Sequence, residues 1–339
     1  MAIYIYPDRI QFSTYALRLD DYGLRVTNST SSTVNGTFTA LSVQSISPLV
    51  GTVSGYTSGG GGPAVTPIYY NTIDKFPFAT DGNASDVGDL SQGRYQSAGQ
   101  SSTVSGYTSG GFAIPIVNTI DKFPFASNAN ASDVGDLSQG RYVVAGQSST
   151  VSGYSSGGLA PPGPTTVNTI DKFPFASNAN ATDVGDLTVA RRASASQSSS
   201  ISGYNSGSYP ITNIIDKFPF ATNANATDVG DLTVDRFGSA GQSSIISGYT
   251  SGGMPPSFTS TNVIDKFPFA SNANATDVGD LTVDRYYLAG QSSTVSGYTS
   301  GGFGAPTNVI DKFPFASDGN ATDVGDLTQA RQAAPGQQD

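Results

Sequence analysis

From about residue 52 onward, apolar residues come in short runs set among Ser, Thr, Gly and Asn, and the same runs keep returning. No 3.6-residue apolar stripe appears, which argues against helices. Gly, Pro and Asx clusters bound each run, which predicts short strands joined by tight turns. One unit, residues 94–140, predicts four strands: 96–101 (QSAGQS), 104–109 (VSGYTS), 118–126 (NTIDKFPFA) and a fourth near 133–137 (DVGDL). Ser102-Thr103 turns the chain between the first two, and Gly110-Gly111 closes the second. A loop of varying length precedes the third, and an Asx-rich corner at 128–132 leads to the fourth. Alternation within each run is weak, as expected where both faces of a sheet pack on neighbours.

The unit repeats. Lys-Phe-Pro-Phe begins at Lys75, Lys122, Lys172, Lys217, Lys266 and Lys312, at spacings of 45 to 50 residues. The Tyr of the SGY run recurs in step, at Tyr56, Tyr107, Tyr154, Tyr204, Tyr249 and Tyr298. Such a period, with four short strands per unit, is that of propeller blades. The first unit starts in its second strand, at Val53, while the last runs past Arg331 into QAAPGQQD, which matches YQSAGQSS at 95–102. The C-terminus therefore supplies the strand that the first blade lacks, closing the ring and protecting its edges. The expected fold is all-β: a six-bladed β-propeller of four-stranded antiparallel blades over residues 46–339. A short β-rich arm, residues 1–45, precedes it, with strands in IYIYP, IQFSTYALRL and GLRVTNST. That arm is too short for a robust core of its own, so it reads as an anchoring or oligomerisation element.

An Arg, then about 17 residues to a Gly-Gly pair after an aromatic-bearing strand, then a strand ending in aromatics, resembles the kelch repeat, over roughly residues 47–338. The kelch unit carries a Trp in or near its fourth strand, and this chain has none. Phe76 and Phe78, with their repeats, are the expected wedges between blades. More narrowly, DKFPFAxxxNATDVGDLTxxR is similar to repeats in structural and tail-associated proteins of marine bacteriophages. That resemblance implies a structural protein of a virion.

Composition narrows the chemistry. There is no His, Cys, Trp or Glu, and net charge is −10. An acidic chain with 16 Lys and Arg is not built for a nucleic-acid partner. No disulfide, thiolate metal site or cofactor site can be read, and the cofactor expectation is none. No run is long enough to span a membrane, and the N-terminus carries no signal-peptide pattern. If the protein ends outside a cell, it arrives by lysis or by assembly into a particle. Glycosidases do occur on propellers and need two carboxylates flanking the scissile bond. Here nearly all Asp residues repeat with the blades, so the expectation is no enzyme and no catalytic residues.

Each repeated motif has a structural and a functional reading. Asp74, Lys75, Phe76 and Phe78, like Asp121, Lys122, Phe123 and Phe125, sit on a strand that alternates its faces: Asp121, Phe123 and Phe125 on one side, Ile120 and Lys122 on the other. The structural reading is an ion pair between blades, with Arg94, Arg141 and their repeats as partners. Six equivalent binding sites are the alternative. Pro124 cannot donate to a ladder and belongs at a strand end, bulge or edge. Asn128, Asn130, Asp133 and Asp136 offer oxygens suited to calcium, against an Asx-turn corner in which they cap their own backbone. The Asn-Ala-Ser/Thr sequons in these corners report exposed loops.

The positions that differ between units carry the functional expectation. The loops after Gly-Gly differ in length and are rich in Pro and aromatics: 61–70 with Tyr69 and Tyr70, 112–117 with Phe112 and Ile114, 159–167 with Pro161 and Pro162, 208–212 with Tyr209, 254–261 with Met254 and Phe258, and 303–307 with Phe303. In a propeller they project from one face, and variation on one face marks a binding face. A second variable set follows the repeat Arg: Tyr95, Tyr142, Arg192, Phe237 and Tyr286, expected at the channel or a rim. The expected function is a tail fibre or surface-displayed virion protein. Residues 1–45 would bind other virion proteins and assemble a homo-oligomer, and the loops would touch a host surface glycan or a virion neighbour. A capsid decoration protein and a free kelch-type interaction module are the alternatives.

Overall fold

The computed structural model describes residues 51–62, 68–304 and 308–339 in full, and 3–6, 9–12, 15–20, 23–28 and 33–34 as backbone strands. Two compact units divide the chain, Met1–Ser45 and Ile46–Asp339. In the first, five antiparallel strands follow one another in chain order: Ile3–Tyr6, Arg9–Phe12, Tyr15–Asp20, Gly23–Asn28 and Thr33–Val34. The anchoring role expected of this segment rests on side chains outside the described residues. No helix among the described residues is long and apolar enough to cross a membrane.

The second unit is the six-bladed propeller. Blade 2 runs Ala98–Ser101, Ser105–Ser109, Thr119–Pro124 and Ser132–Asp136, innermost strand first. Blade 1 takes its innermost strand, Gly336–Gln338, from the C-terminus, followed by Ser54–Ser58, Thr72–Pro77 and Ser85–Asp89. Pro124 is the last residue of its strand, where a missing N–H costs nothing. The second strands are buried along their whole length, which is why alternation is absent there. The third strand slips by one residue against the fourth, between Ile120 and Asp121. That bulge lets Val134 pass without a partner and increases the local twist.

The core lies between blades. Ile120 and Tyr107 face the following blade and meet Phe173, with Leu137 completing the cluster. Phe123 and Phe125 face the preceding blade and meet Tyr56, Ile73 and Leu90. Each junction repeats one aromatic triad: Phe78 stacks on Tyr298 at 4.7 Å, while Phe76 meets Phe78 edge-on at 5.8 Å. Two Phe and one Tyr thus fill the wedge that a Trp fills in the kelch unit. A Cβ at Gly106 would stand 2.2 Å from the Phe123 ring. The SGY run has Gly before Tyr because the neighbouring strand's phenyl occupies that space.

The Tyr hydroxyls make the junctions sensitive to alkali. Burial pushes the Tyr154 phenol up to about 12 and raises the other five as well. A raised folded-state value means that the folded protein holds the proton more tightly than the unfolded chain, whose phenols titrate near 10. This stabilisation is complete below that value and is lost as pH rises through the folded one. Thermal midpoints are expected to hold steady up to about pH 9.5 and fall steeply above pH 10. Tyr absorbance near 295 nm should show the junction phenols ionising only with unfolding. A midpoint unchanged at pH 11.5 would contradict this.

Candidate functional site

The six repeat Arg residues are fully buried. Each lies in the link between one blade's fourth strand and the next blade's first, and each pairs with the Asp of DKFPF at 2.5 to 3.2 Å. Arg94 also donates to the Thr108 carbonyl. The preceding blade reaches the same carboxylate, since Ser91 donates to Asp121 from its N–H and its hydroxyl. At the seam, Arg331 and Thr328 hold Asp74 in the same way. Burial pushes the guanidinium values down and the facing carboxylate pushes them back up. Asp74, Asp121, Arg94 and Arg141 are thus junction residues. Lys75 and Lys122 lie over Tyr56 and Tyr107 of their own blades, at 5.4 and 5.8 Å.

The Asx-rich corner is a second clasp. Asn130 Oδ1 accepts the Asp89 N–H of the preceding blade at 3.1 Å, and Ala131 N–H donates to the Asp89 carbonyl. Asp133 Oδ1 accepts the Gly135 N–H within its own turn. Asp136 N–H donates to Asn180 of the following blade. These contacts recur around the ring to Asp326 and Asn83. The described residues contain no group of three or more acidic, His or Cys side chains placed to hold a metal ion. Through their hydrogen bonds Asn130 joins two blades and Asp133 turns the chain.

The face carrying the variable loops is built differently. The link after each repeat Arg and the loop after each Gly-Gly emerge at the same end of the blades. There they form a one-pair antiparallel bridge: Tyr95 with Phe112, Tyr142 with Leu159, Arg192 with Tyr209, Phe237 with Met254, Tyr286 with Phe303, and Gln332 with Gly61. The two variable sets are one surface. Tyr69 stacks on Tyr95 at 5.4 Å, and Phe112 bridges Tyr95 to Tyr142. On the other side Tyr209 meets Phe237, Phe237 meets Tyr286 and Tyr287, and Tyr286 meets Phe303. Met254 packs on the cluster of Val143, Leu159, Ala193 and Phe237. Tyr70 lies within cation–π reach of Arg331. Ile114, at 77% exposure, and Phe258, at 66%, stand in solvent, as do Pro161 and Pro162 at the tip of a small hairpin, Leu159–Ala160 with Thr165–Thr166. Parts of two loops, 63–67 and 305–307, lie outside the described residues.

Beneath this surface the axis is closed by a ring that the sequence did not announce. One residue after each variable position, Gln96, Val143, Ala193, Gly238, Tyr287 and Ala333 adopt left-handed backbone, with φ between 52 and 67°. Each donates its N–H to the carbonyl of the corresponding residue in the previous link, at 2.5 to 3.1 Å, and the sixth bond closes the circle. Left-handed backbone costs a non-Gly residue about 1–2 kcal/mol, so it persists because the ring over-determines it. Tyr287 packs against the cluster that holds Val143 and Ala193, which belong to links on the far side of the ring. It therefore extends over the axis. Below the ring, the first strands enclose a narrow cavity lined by Ser101, Ser148, Ser198, Ser243 and Ser292, with about 130 Å³ of water-accessible space. Each of their backbone N–H groups bonds to the side chain of the next blade, and Gln338 completes that circle too.

Fold and repeat define the class: a six-bladed β-propeller, consistent with the kelch-like reading of its repeats. Compared with known proteins, the chain matches no protein-family model and no curated protein sequence.

Proposed function

We propose that this protein is a non-enzymatic structural protein of a phage virion, a tail fibre or surface-displayed protein, whose propeller presents its variable face to a host surface or a virion neighbour. One observation carries the reading: the polarity of the propeller. The variable aromatics gather at one end of the blades. Gly51, the first described residue of the propeller, lies at the other end, where it bridges Ser293 between Ala289–Ser292 and Ser296–Ser300, the first two strands of blade 6. A propeller tethered by that end points its variable face outward. The repeat carboxylates Asp74 and Asp121 are committed to buried Arg residues, which favours a display role over acid–base chemistry. Capsid decoration places the same display elsewhere on the particle.

Light scattering behind a sizing column tests the reading on residues 1–339 and 46–339. The full chain is expected to be a defined homo-oligomer and the shorter one a folded monomer. Antibody labelling should then mark purified particles and distinguish tail from capsid. If the full chain is a monomer found with no particle fraction, the virion reading fails and a free kelch-type interaction module replaces it.

A further inference from the structure

One charge interrupts the aromatic face. Of the six positions that follow the junction Arg, five are Tyr95, Tyr142, Phe237, Tyr286 and Gln332, and the sixth is Arg192. Its guanidinium carbon lies 4.4 Å from the centroid of the Tyr209 ring, and Nη1 donates to Thr166 Oγ1 at 3.2 Å. No carboxylate lies within ion-pairing distance of it among the described residues. The six junction Arg residues are each buried against an Asp, and the six Lys each lie over a Tyr. In a chain of net charge −10, Arg192 is a partly buried cation with no counter-ion among the described residues.

Its surroundings suit a ring-shaped ligand that carries an anion. A guanidinium stacked on a phenol keeps in-plane donors available, and such a fork matches a carboxylate. Beside it, Tyr142 and Met254 pack at the edge of the Val143–Leu159–Ala193–Phe237 cluster, and Tyr287 reaches the same cluster from across the axis. Amphipathic rings of this kind offer an apolar face and a hydroxyl together. A phosphodiester backbone fits less well, because it calls for several cations in a row.

We infer that the Arg192 side of this face binds the carboxylate of a uronic-acid residue in a polysaccharide, with Tyr142, Tyr209 and Tyr287 against the sugar ring. The inference rests on the reading of the variable face as a recognition surface, and it names the chemistry recognised there.

Calorimetric titration of the full chain with a galacturonic-acid tetramer and with a neutral galactose tetramer tests it. The acidic tetramer should bind, and added salt should weaken that binding. Arg192→Gln should weaken it about tenfold or more, the value of a charge-assisted hydrogen bond, with the thermal midpoint unchanged. Arg192→Lys should fall between, since it keeps the charge and loses the fork. Equal binding by Arg192→Gln and the parent would overturn the inference. Binding of the neutral tetramer alone, abolished in Tyr142→Ala, would also overturn it while leaving the recognition face standing. Binding of neither tetramer overturns it as well, and the display reading is then decided by the particle experiment above.

Discussion

Asp171→Ala is expected to destabilise the propeller by about 3–5 kcal/mol, the usual result of removing one partner from a buried ion pair. Arg141 has no exposed surface; it pairs with Asp171 at 2.9 Å and donates to the Ser155 carbonyl and to the Thr169 carbonyl. With the carboxylate gone, the guanidinium is left charged in a dry junction. The Ser138 N–H and hydroxyl, which cross from blade 2 to the same carboxylate, lose their acceptor at the same time. Asp171→Asn should cost less, since it still offers Ser138 an acceptor. The surface pair Lys266–Asp318 is the control: its partners are 28% and 56% exposed, so Asp318→Asn should cost under about 1 kcal/mol. Urea unfolding at constant m-value reads both. A cost below 1 kcal/mol for Asp171→Ala would mean that the repeated pair does not hold the blades together.

The sequence made this junction legible because the same residues recur in step. Six Arg, six Asp and six Phe-Pro-Phe runs at one period leave little choice but blade contacts. The alternation of Asp121 and Phe123 against Ile120 and Lys122 held in the structure, since side-chain direction along a strand is fixed by backbone geometry. Ring closure was legible from the offset of the two chain ends. Other features were not. The first strand begins at Ala98, two residues later than expected, because Gln96 turns left-handed to join the axial ring. Nothing marks that position: Gln, Val, Ala, Gly, Tyr and Ala occupy it, and only Gly238 hints at the conformation. The backbone bonds of the ring impose it, and those are long-range. Tyr287 was missed for the same reason, since its neighbour Tyr286 sits at the variable position and Tyr287 does not. The Asx corner was half legible. Asp133 does turn its own backbone, but Asn130 reaches the preceding blade, which no local pattern encodes.

Deleting residues 335–339 is expected to open the ring, with a larger effect than any single junction change. The strand Gly336–Gln338 pairs with Gly55, Tyr56 and Thr57. Gln337 donates to Ser58, to the Tyr107 carbonyl and to Thr108, across the junction with blade 2. Gln338 closes the axial side-chain circle through Ser101 and Ser292. At about 1 kcal/mol net for each buried hydrogen bond, the strand is worth several kcal/mol, a large part of the roughly 5–15 kcal/mol that holds an ordinary domain folded. Its loss also bares Ser54–Ser58, a strand buried along its whole length, as an unpaired edge that another chain can extend. The truncated chain should melt well below the parent, lose its single cooperative transition, and enter larger species on a sizing column at rising concentration. A truncated chain that ran at the same size and melted with the parent would show that blade 1 is held by its neighbours' side chains alone. The six-fold junction would then be sufficient for closure. The geometry argues otherwise: at the seam the chain passes from blade 6 into blade 1 only through this strand, which joins the rest of blade 1 by hydrogen bonds and packing alone.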